Sequence, residues 1–167
     1  MKRFVSVLLA CCLLMCGVAV AEENTAVALP EVELDLGKKA ELWEEQDNET
    51  VKGSSYIVDD WYVILACEAG EYTAVELGYE LAGEMPEDAV VIDGENGITQ
   101  RVQAQLTTVN AVIDVSVFQK DGCVVYLFVM AVDEDMETVA AQVDEWLTQL
   151  TIDGESALVL PEESSAE

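Results

Sequence analysis

The clearest alternation of apolar and polar residues lies in Asn110–Gln119, NAVIDVSVFQ. Every second side chain is apolar, which predicts a strand, and Asp114 falls on the other side, where we expect it to face water. Lys120–Gly122 then contains the Asp-Gly pair typical of tight hairpins. Cys123–Val132 follows as ten apolar residues, which predicts a strand buried on both faces and is too short for a membrane-spanning helix.

The period changes in the next segment, Asp133–Leu150. Apolar residues now recur every three or four positions, which predicts an amphipathic helix with Asp133 or Asp135 as its cap. One apolar stripe covers one face of a sheet, so the other face of the Cys123–Val132 strand needs a different cover. An N-terminal helix, a second sheet layer, a ligand and a second subunit are the alternatives. The stripe comprises Met136, Val139, Ala140, Val143, Trp146, Leu147 and Leu150.

Weaker patterns occupy the preceding part of the chain. Gly37–Gln46 is rich in helix formers and predicts a short helix. Tyr56–Cys67 is rich in β-branched and aromatic residues and predicts strand structure with a turn or bulge at Asp59-Asp60. Asp93–Gly97 predicts a turn between two strands. Thr73–Ala82 alternates with period two, but its apolar residues also lie one helical turn apart, so strand and helix both remain open.

These patterns predict a single α+β domain over residues 34–152. Its expected architecture is a mainly antiparallel sheet, a C-terminal amphipathic helix packed on one face, and a short N-terminal helix. Residues 22–33 are predicted to be a linker, and residues 153–167 an acidic, disordered tail.

The first 21 residues have the organisation of a secretory signal peptide. Met1–Arg3 is basic, the following run to Ala21 is uncharged, and its last three residues have the small-x-small form of a cleavage site. We therefore predict cleavage after Ala21 and a secreted or extracytoplasmic location. A membrane anchor and a lipid anchor on Cys11 or Cys16 are the alternatives.

The end of the chain resembles a known family. KDGCVVYLFVMAV (120–132) and VAAQVDEWL (139–147) are similar to the late strands and terminal helix of PsbP-like α/β sandwich modules of small exported proteins. The resemblance implies a scaffold or binding module without catalysis. It carries over no metal ligand or catalytic residue.

Charge restricts the possible partners. The chain has 34 acidic and 7 basic residues, for a net charge of −27. It repels the phosphates of nucleic acids and anionic membrane surfaces, so neither is an expected partner. The solubility of an exported protein is sufficient to explain such a charge. Binding of a cation and binding of a basic partner are the more specific alternatives.

Little catalytic chemistry is available to this sequence. The chain has no histidine, which removes Ser-His-Asp and Cys-His catalysis and most catalytic zinc sites. Asp93–Gly97 (DGENG) superficially resembles a calcium loop but lacks the order of an EF-hand, and a plain turn is the favoured interpretation. Asp133–Thr138 is interpreted as a helix start. No catalytic, cofactor-binding or metal-binding residue is identified.

Two other groups of residues have alternative interpretations. Cys67 and Cys123 either form a disulfide or are buried thiols, and we favour free thiols because a simple meander would hold their strands apart. The aromatic residues either line a ligand pocket or belong to the core. They are Trp43, Trp61, Tyr62, Tyr72 and Tyr79.

We therefore predict an exported, soluble binding or interaction module without catalysis, whose ligand or protein partner is unknown. The alternative is an extracellular hydrolase that uses carboxylates, with or without Ca²⁺. A pocket with converging acids of raised pKa would favour the enzyme, whereas a flat or dry surface would favour the module. The most informative structural observation is whether an open cavity lies against the Cys123–Val132 strand.

Overall fold

The computed structural model describes residues 28–70, 72–85 and 88–159. The predicted signal peptide, with Cys11, Cys16 and Ala21, lies outside the described residues. The described chain is mostly antiparallel sheet with two helices, which confirms the α+β class. The strands are β1 (Val32–Glu33), β2 (Ala40–Asp47), β3 (Val51–Val58), β4 (Trp61–Ala69), β5 (Val90–Asp93), β6 (Gln100–Leu106), β7 (Ala111–Lys120), β8 (Cys123–Val132), β9 (Thr151–Ile152) and β10 (Glu155–Ser156), and the helices are α1 (Ala74–Glu84) and α2 (Met136–Leu147).

Seven strands form the main sheet, in the order β2-β3-β4-β8-β7-β6-β5. All neighbours are antiparallel, and β4 pairs with β8 at the centre, so that two meanders join there. In the β7–β8 hairpin, Asp121 and Gly122 both have positive φ, at 46° and 84°. This is the backbone that a two-residue hairpin turn requires, and it confirms the turn predicted at Lys120–Gly122.

Each face of the main sheet carries one helix. The front face packs against α2 and a small sheet of order β1-β9-β10, and the back face packs against α1. Leu127 of β8 belongs to the front cluster with Trp146 and Leu147, whereas Phe128 belongs to the back cluster with Leu77. The prediction that β8 is buried on both faces is confirmed, and α1 is the cover that the sequence left unassigned.

Helix α1 resolves the two interpretations of Thr73–Ala82. Thr73 is the N-cap, its hydroxyl accepts a hydrogen bond from the Glu76 backbone N–H at 3.2 Å, and the Glu76 carboxylate accepts one from the Thr73 N–H at 2.7 Å. This reciprocal capping box satisfies backbone groups that no helical partner reaches. Gly78 faces the sheet, where any Cβ would overlap the side-chain amide of Gln100, so a glycine allows the close approach.

The predicted helix over Gly37–Gln46 is wrong, because Ala40–Asp47 is strand β2. It pairs with β3, and the connection is held by Asn48, whose side-chain oxygen accepts hydrogen bonds from the backbone of Thr50 and Val51 at 3.0 and 2.9 Å. The helix preference of Ala, Glu and Leu amounts to only a few tenths of a kcal/mol per residue, and pairing with a neighbouring strand overrides it.

The chain ends are more structured than predicted. Val32–Glu33, assigned to the linker, pairs with Thr151–Ile152 of β9. Glu155–Ser156, assigned to the disordered tail, pairs with β9 on its other side, and Ala157 is buried. Backbone hydrogen bonds between these short strands stabilise the chain ends, and polar composition alone does not predict that pairing. Neither helix of the described ranges is long and apolar enough to cross a membrane.

The prediction that Asp114 faces water is wrong. It points to the front face of β7 and is fully buried, in an ion pair with Arg101 of β6. The guanidinium also donates to Asp144 and to the Ala140 carbonyl of α2. Burial of a carboxylate is tolerated here because its oxygens are hydrogen-bonded to a charged donor, which alternation alone cannot reveal.

Candidate functional site

An N-terminal segment, residues 28–36, crosses the front face of the main sheet. This segment is called the strap below. The Cys67 thiol of β4 lies 3.6 Å from the Pro30 carbonyl oxygen, and the Cys123 thiol of β8 lies 3.9 Å from that of Ala28. Leu36 enters the front core cluster. The strap is therefore fixed across β4 and β8 by apolar packing and by the β1–β9 pairing.

A cavity of about 440 Å³ lies between the strap and the front face of strands β2, β3 and β4. Its volume is within the range of small-molecule sites, roughly 300–1,000 Å³. The β1 segment forms one wall, and the sheet forms the floor and the opposite wall. The lining residues are Pro30, Val32, Glu33, Leu34, Glu45, Gln46, Asp47, Lys52, Gly53, Ser54, Tyr56, Leu65 and Cys67.

The lining combines an apolar interior with a charged rim. Val32 and Leu34 of the strap and Leu65 of β4 supply the apolar surface and pack with the front core. The rim carries the carboxylates of Glu33, Glu45 and Asp47 against one ammonium group, that of Lys52. Such a lining suits an amphipathic molecule, and the excess of carboxylates favours one with positive charge.

The alternation of β2 places these acids at the cavity. Glu45 and Asp47 pair with Ser54 and Lys52 on the front face, whereas Glu44 pairs with Ser55 on the back face. Sequence reasoning missed Glu45 and Asp47 because it assigned them to a helix or its end. It also missed Tyr56, an aromatic residue that lines this cavity. The β-branched and aromatic residues of Tyr56–Cys67 predicted strand structure there. They did not indicate that the strap would face these strands and close the cavity.

Cys67 lies at the floor of the cavity and is almost fully buried. Burial raises the pKa of the Cys67 thiol above its ordinary value. A hydrogen bond with the Lys52 backbone and the charge of the Lys52 side chain act in the opposite direction. The sulfur is therefore a protonated thiol at neutral pH, a poor nucleophile. Cys67 is therefore a buried, uncharged part of the cavity wall.

The two cysteines are closer than the sequence predicted. Cys67 pairs with Val125 and Cys123 pairs with Ala69, so the thiols are diagonal neighbours on one face of adjacent strands. The expectation that their strands lie far apart is wrong. Diagonal neighbours are about 7–8 Å apart, beyond the usual Cα separation of a disulfide, about 5.5 Å. Both are free thiols in the structure, as favoured from the sequence for a different reason.

The carboxyls of raised pKa do not converge. Burial raises the pKa of Glu68, which lies at the end of β4 on the back face beside Tyr72. Burial also raises the pKa of Asp114, while Arg101 and Gln103 act in the opposite direction. Asp114 is on the front face and fully enclosed, so these two acids are on opposite sides of the sheet and cannot share a substrate.

The other candidate residues from the sequence are dispersed. Trp61 packs edge-to-face on Trp146 at 5.8 Å in the front core, and Tyr62 is buried on the back face. Trp43 and Tyr79 are exposed, and Tyr72 hydrogen-bonds Glu68. None of these five lines the cavity under the strap.

The acidic segments singled out in the sequence have structural duties. Glu95 and Gly94 make the backbone hydrogen bonds of the turn that joins β5 to β6. Asp135 is the N-cap of α2, accepting a hydrogen bond from the Thr138 N–H at 2.8 Å. Among residues 28–70, 72–85 and 88–159, no group of three or more Cys, Asp or Glu side chains is arranged to hold a metal ion.

These features define an α+β protein with a ligand-sized cavity on one face of its antiparallel sheet. No family model and no curated protein matches the chain. Among solved structures, it is similar to LpqN of Mycobacterium tuberculosis, a protein involved in cell envelope biogenesis, with 14% identity and a TM-score of 0.46. The similarity covers 81% of this chain and 88% of LpqN. The PsbP-like resemblance stays an interpretation of the C-terminal residues.

Proposed function

We propose that this chain is an exported, non-catalytic binding module that holds a small amphipathic cation in the cavity beneath the strap. The cavity itself carries the proposal, through its volume of about 440 Å³ and its rim of three carboxylates and one ammonium group. An apolar body of the ligand would lie against Val32, Leu34 and Leu65, and its charged end would lie at the rim.

The charge of the whole chain supports a cationic ligand. A net charge of −27 raises the local concentration of cations and speeds their encounter with the rim. The leader supports export, and cleavage after Ala21 would leave the strap close to the start of the mature chain. The absence of histidine and the separation of Glu68 from Asp114 by the sheet support a role in binding over hydrolysis.

Benzylamine and benzyl alcohol are a matched pair of probes, because they share an apolar ring and differ in charge. We expect benzylamine to bind more tightly, with amide chemical-shift changes confined to the strap and to the front faces of β2, β3 and β4. Glu45→Gln with Asp47→Asn should weaken benzylamine about twofold to thirtyfold, since each exposed ion pair contributes about 0.2–1 kcal/mol. Benzyl alcohol should be unaffected.

Glu41→Gln with Glu44→Gln is the control, because both residues lie on the same exposed strand but pair with Ile57 and Ser55 on the back face. This variant also removes two charges, and neither residue lines the cavity. Equal binding of the two probes, or equal losses in the Glu41/Glu44 and Glu45/Asp47 variants, would contradict the proposal.

A further inference from the structure

The edge of the main sheet at β2 has properties that the cavity does not explain. Seven of the eight residues of β2 are exposed, and no strand of the described ranges pairs with its outer edge. Leu42 is 55% exposed and Trp43 60%. An exposed edge strand presents unpaired backbone N–H and C=O groups, and a neighbouring extended chain can bond to them.

Trp43 occupies a bulge in this strand. Leu42 pairs with Tyr56 and Glu44 pairs with Ser55, so Trp43 has no partner residue in β3. A bulge redirects a side chain and increases the local twist. The largest apolar side chain of the edge is therefore presented outside the regular pairing, and tryptophan is one of the residue types enriched at the energetic hot spots of protein interfaces.

The charges of β2 are all of one sign. Its four ionisable side chains, Glu41, Glu44, Glu45 and Asp47, are acidic and exposed on both faces. Acids on an edge strand also protect it from aggregation, but that role does not account for an adjacent exposed Leu42 and Trp43. Pairing of β2 with β2 of a second copy is disfavoured, because it would place acidic side chains opposite acidic side chains. Like charges directly opposite destabilise a strand pair. The net charge of −27 adds repulsion between the two molecules.

We infer that β2 is a docking edge for an extended basic segment of a partner protein, which adds as an eighth strand to the sheet. Lys and Arg side chains of that segment would face the acids on both sides of the edge, and one large apolar side chain would pack on Leu42 and Trp43. Glu45 and Asp47 belong both to this edge and to the cavity rim, whereas Glu41, Leu42 and Trp43 are not among the cavity-lining residues.

The test uses capped peptides of equal charge, (Lys-Val)₄ and (Lys-Gly)₄, titrated into the full protein. We expect (Lys-Val)₄ to bind more tightly, because the β-branched residues favour an extended strand and supply the apolar contact. Trp43→Ala should weaken it by about tenfold or more. Tyr79→Ala is the control, because Tyr79 is 61% exposed on α1, on the back face away from β2. Benzylamine binding should be unchanged in Trp43→Ala, which separates this inference from the proposed function.

Amide hydrogen exchange adds a readout specific to strand addition. Exchange in Glu41–Asp47 should slow when (Lys-Val)₄ binds, and exchange in the opposite edge strand β5 should not change. If the two peptides bound equally and Trp43→Ala had no effect, binding would be only the attraction of cationic peptides to an acidic protein. That result would overturn the inference. So would an unchanged exchange rate in β2, or a Trp43-dependent dimer of the protein without peptide.

Discussion

Arg101 and Asp114 form an ion pair closed by three hydrogen bonds, from Nε to both carboxylate oxygens at 2.9 and 3.0 Å and from Nη2 to Oδ2 at 2.8 Å. Gln103 donates to the same carboxylate at 2.7 Å. Because the guanidinium also donates to Asp144 and Ala140, the pair links strands β6 and β7 to helix α2. It is the main polar connection between the sheet and the helix on its front face.

Removing the carboxylate should destabilise the protein. Asp114→Ala leaves a largely buried guanidinium without its principal partner, and we expect a loss of about 3–5 kcal/mol in the free energy of unfolding, measured by denaturant melts. Arg101→Met combined with Asp114→Leu should cost less than the sum of the single changes, because no charge is left unpaired. The exposed Asp93→Ala is the control, and a neutral Asp114→Ala would contradict this account.

The two faces of β8 should respond alike to truncation. Leu127 lies under α2 on the front face, and Phe128 lies under α1 on the back face. Leu127→Ala and Phe128→Ala should each cost about 2–5 kcal/mol, because both open a cavity in a packed cluster. Denaturant melts of the pair test this, and a small loss in one of them would indicate a face that is not packed as described.

The capping box of α1 gives a smaller and more local effect. Thr73→Ala should lower the free energy of unfolding by about 0.5–2 kcal/mol, since it leaves helical N–H groups without an acceptor. Thr108→Ala, at an exposed turn position, should be close to neutral. Equal effects of the two changes in thermal melts would argue against the cap.

Glu68 should make stability depend on pH. Because burial raises its pKa in the folded protein, the folded state binds this proton more tightly than the unfolded chain does. Its contribution to stability therefore decreases as pH rises from the ordinary carboxyl pKa of 4.5 to the raised value. Glu68→Gln should lose this decrease, so that its stability relative to the wild type improves across that window. Melts of both proteins at several pH values measure this trend, and a constant difference between them across the window would contradict it.

The cysteines should differ in reactivity although both are buried. The thiols of Cys67 and Cys123 should both be free after denaturation, and the other three cysteines of the chain lie in the predicted signal peptide. In the native state, N-ethylmaleimide should modify Cys67 before Cys123, because Cys67 lines the cavity whereas Cys123 does not. Mass spectrometry of the modified peptides gives the order, and Cys67→Ser should remove the faster phase. A faster reaction at Cys123 would contradict the assigned cavity.

The parts of the fold with strong local signals were predictable. Strands β7 and β8 and their turn follow from apolar runs and an Asp-Gly pair, and α2 from its helical period. The helix α1 was also within reach, since Thr73-Ala74-Val75-Glu76 has the sequence form of a capping box before an apolar run. Edge strand β2 was not, because its residues favour a helix and only pairing with β3 makes it a strand.

The candidate site was the least predictable part. Its walls come from the strap and from three different strands, and only the tertiary fold brings them together. The acids at its rim are a few of 34 in the chain, so composition could not single them out. The burial of Asp114 has the same origin, because its partner Arg101 lies on another strand.

The pairing of the strap with β9 also affects the order in which parts of the protein can fold. The Glu31 N–H donates to Asp153, which follows 122 residues later, so this contact closes nearly the whole described chain into one loop. Contacts of such long sequence separation have a high entropic cost and form late in folding. The cavity wall that β1 forms is therefore fixed only after the C-terminal strand β9 has been made.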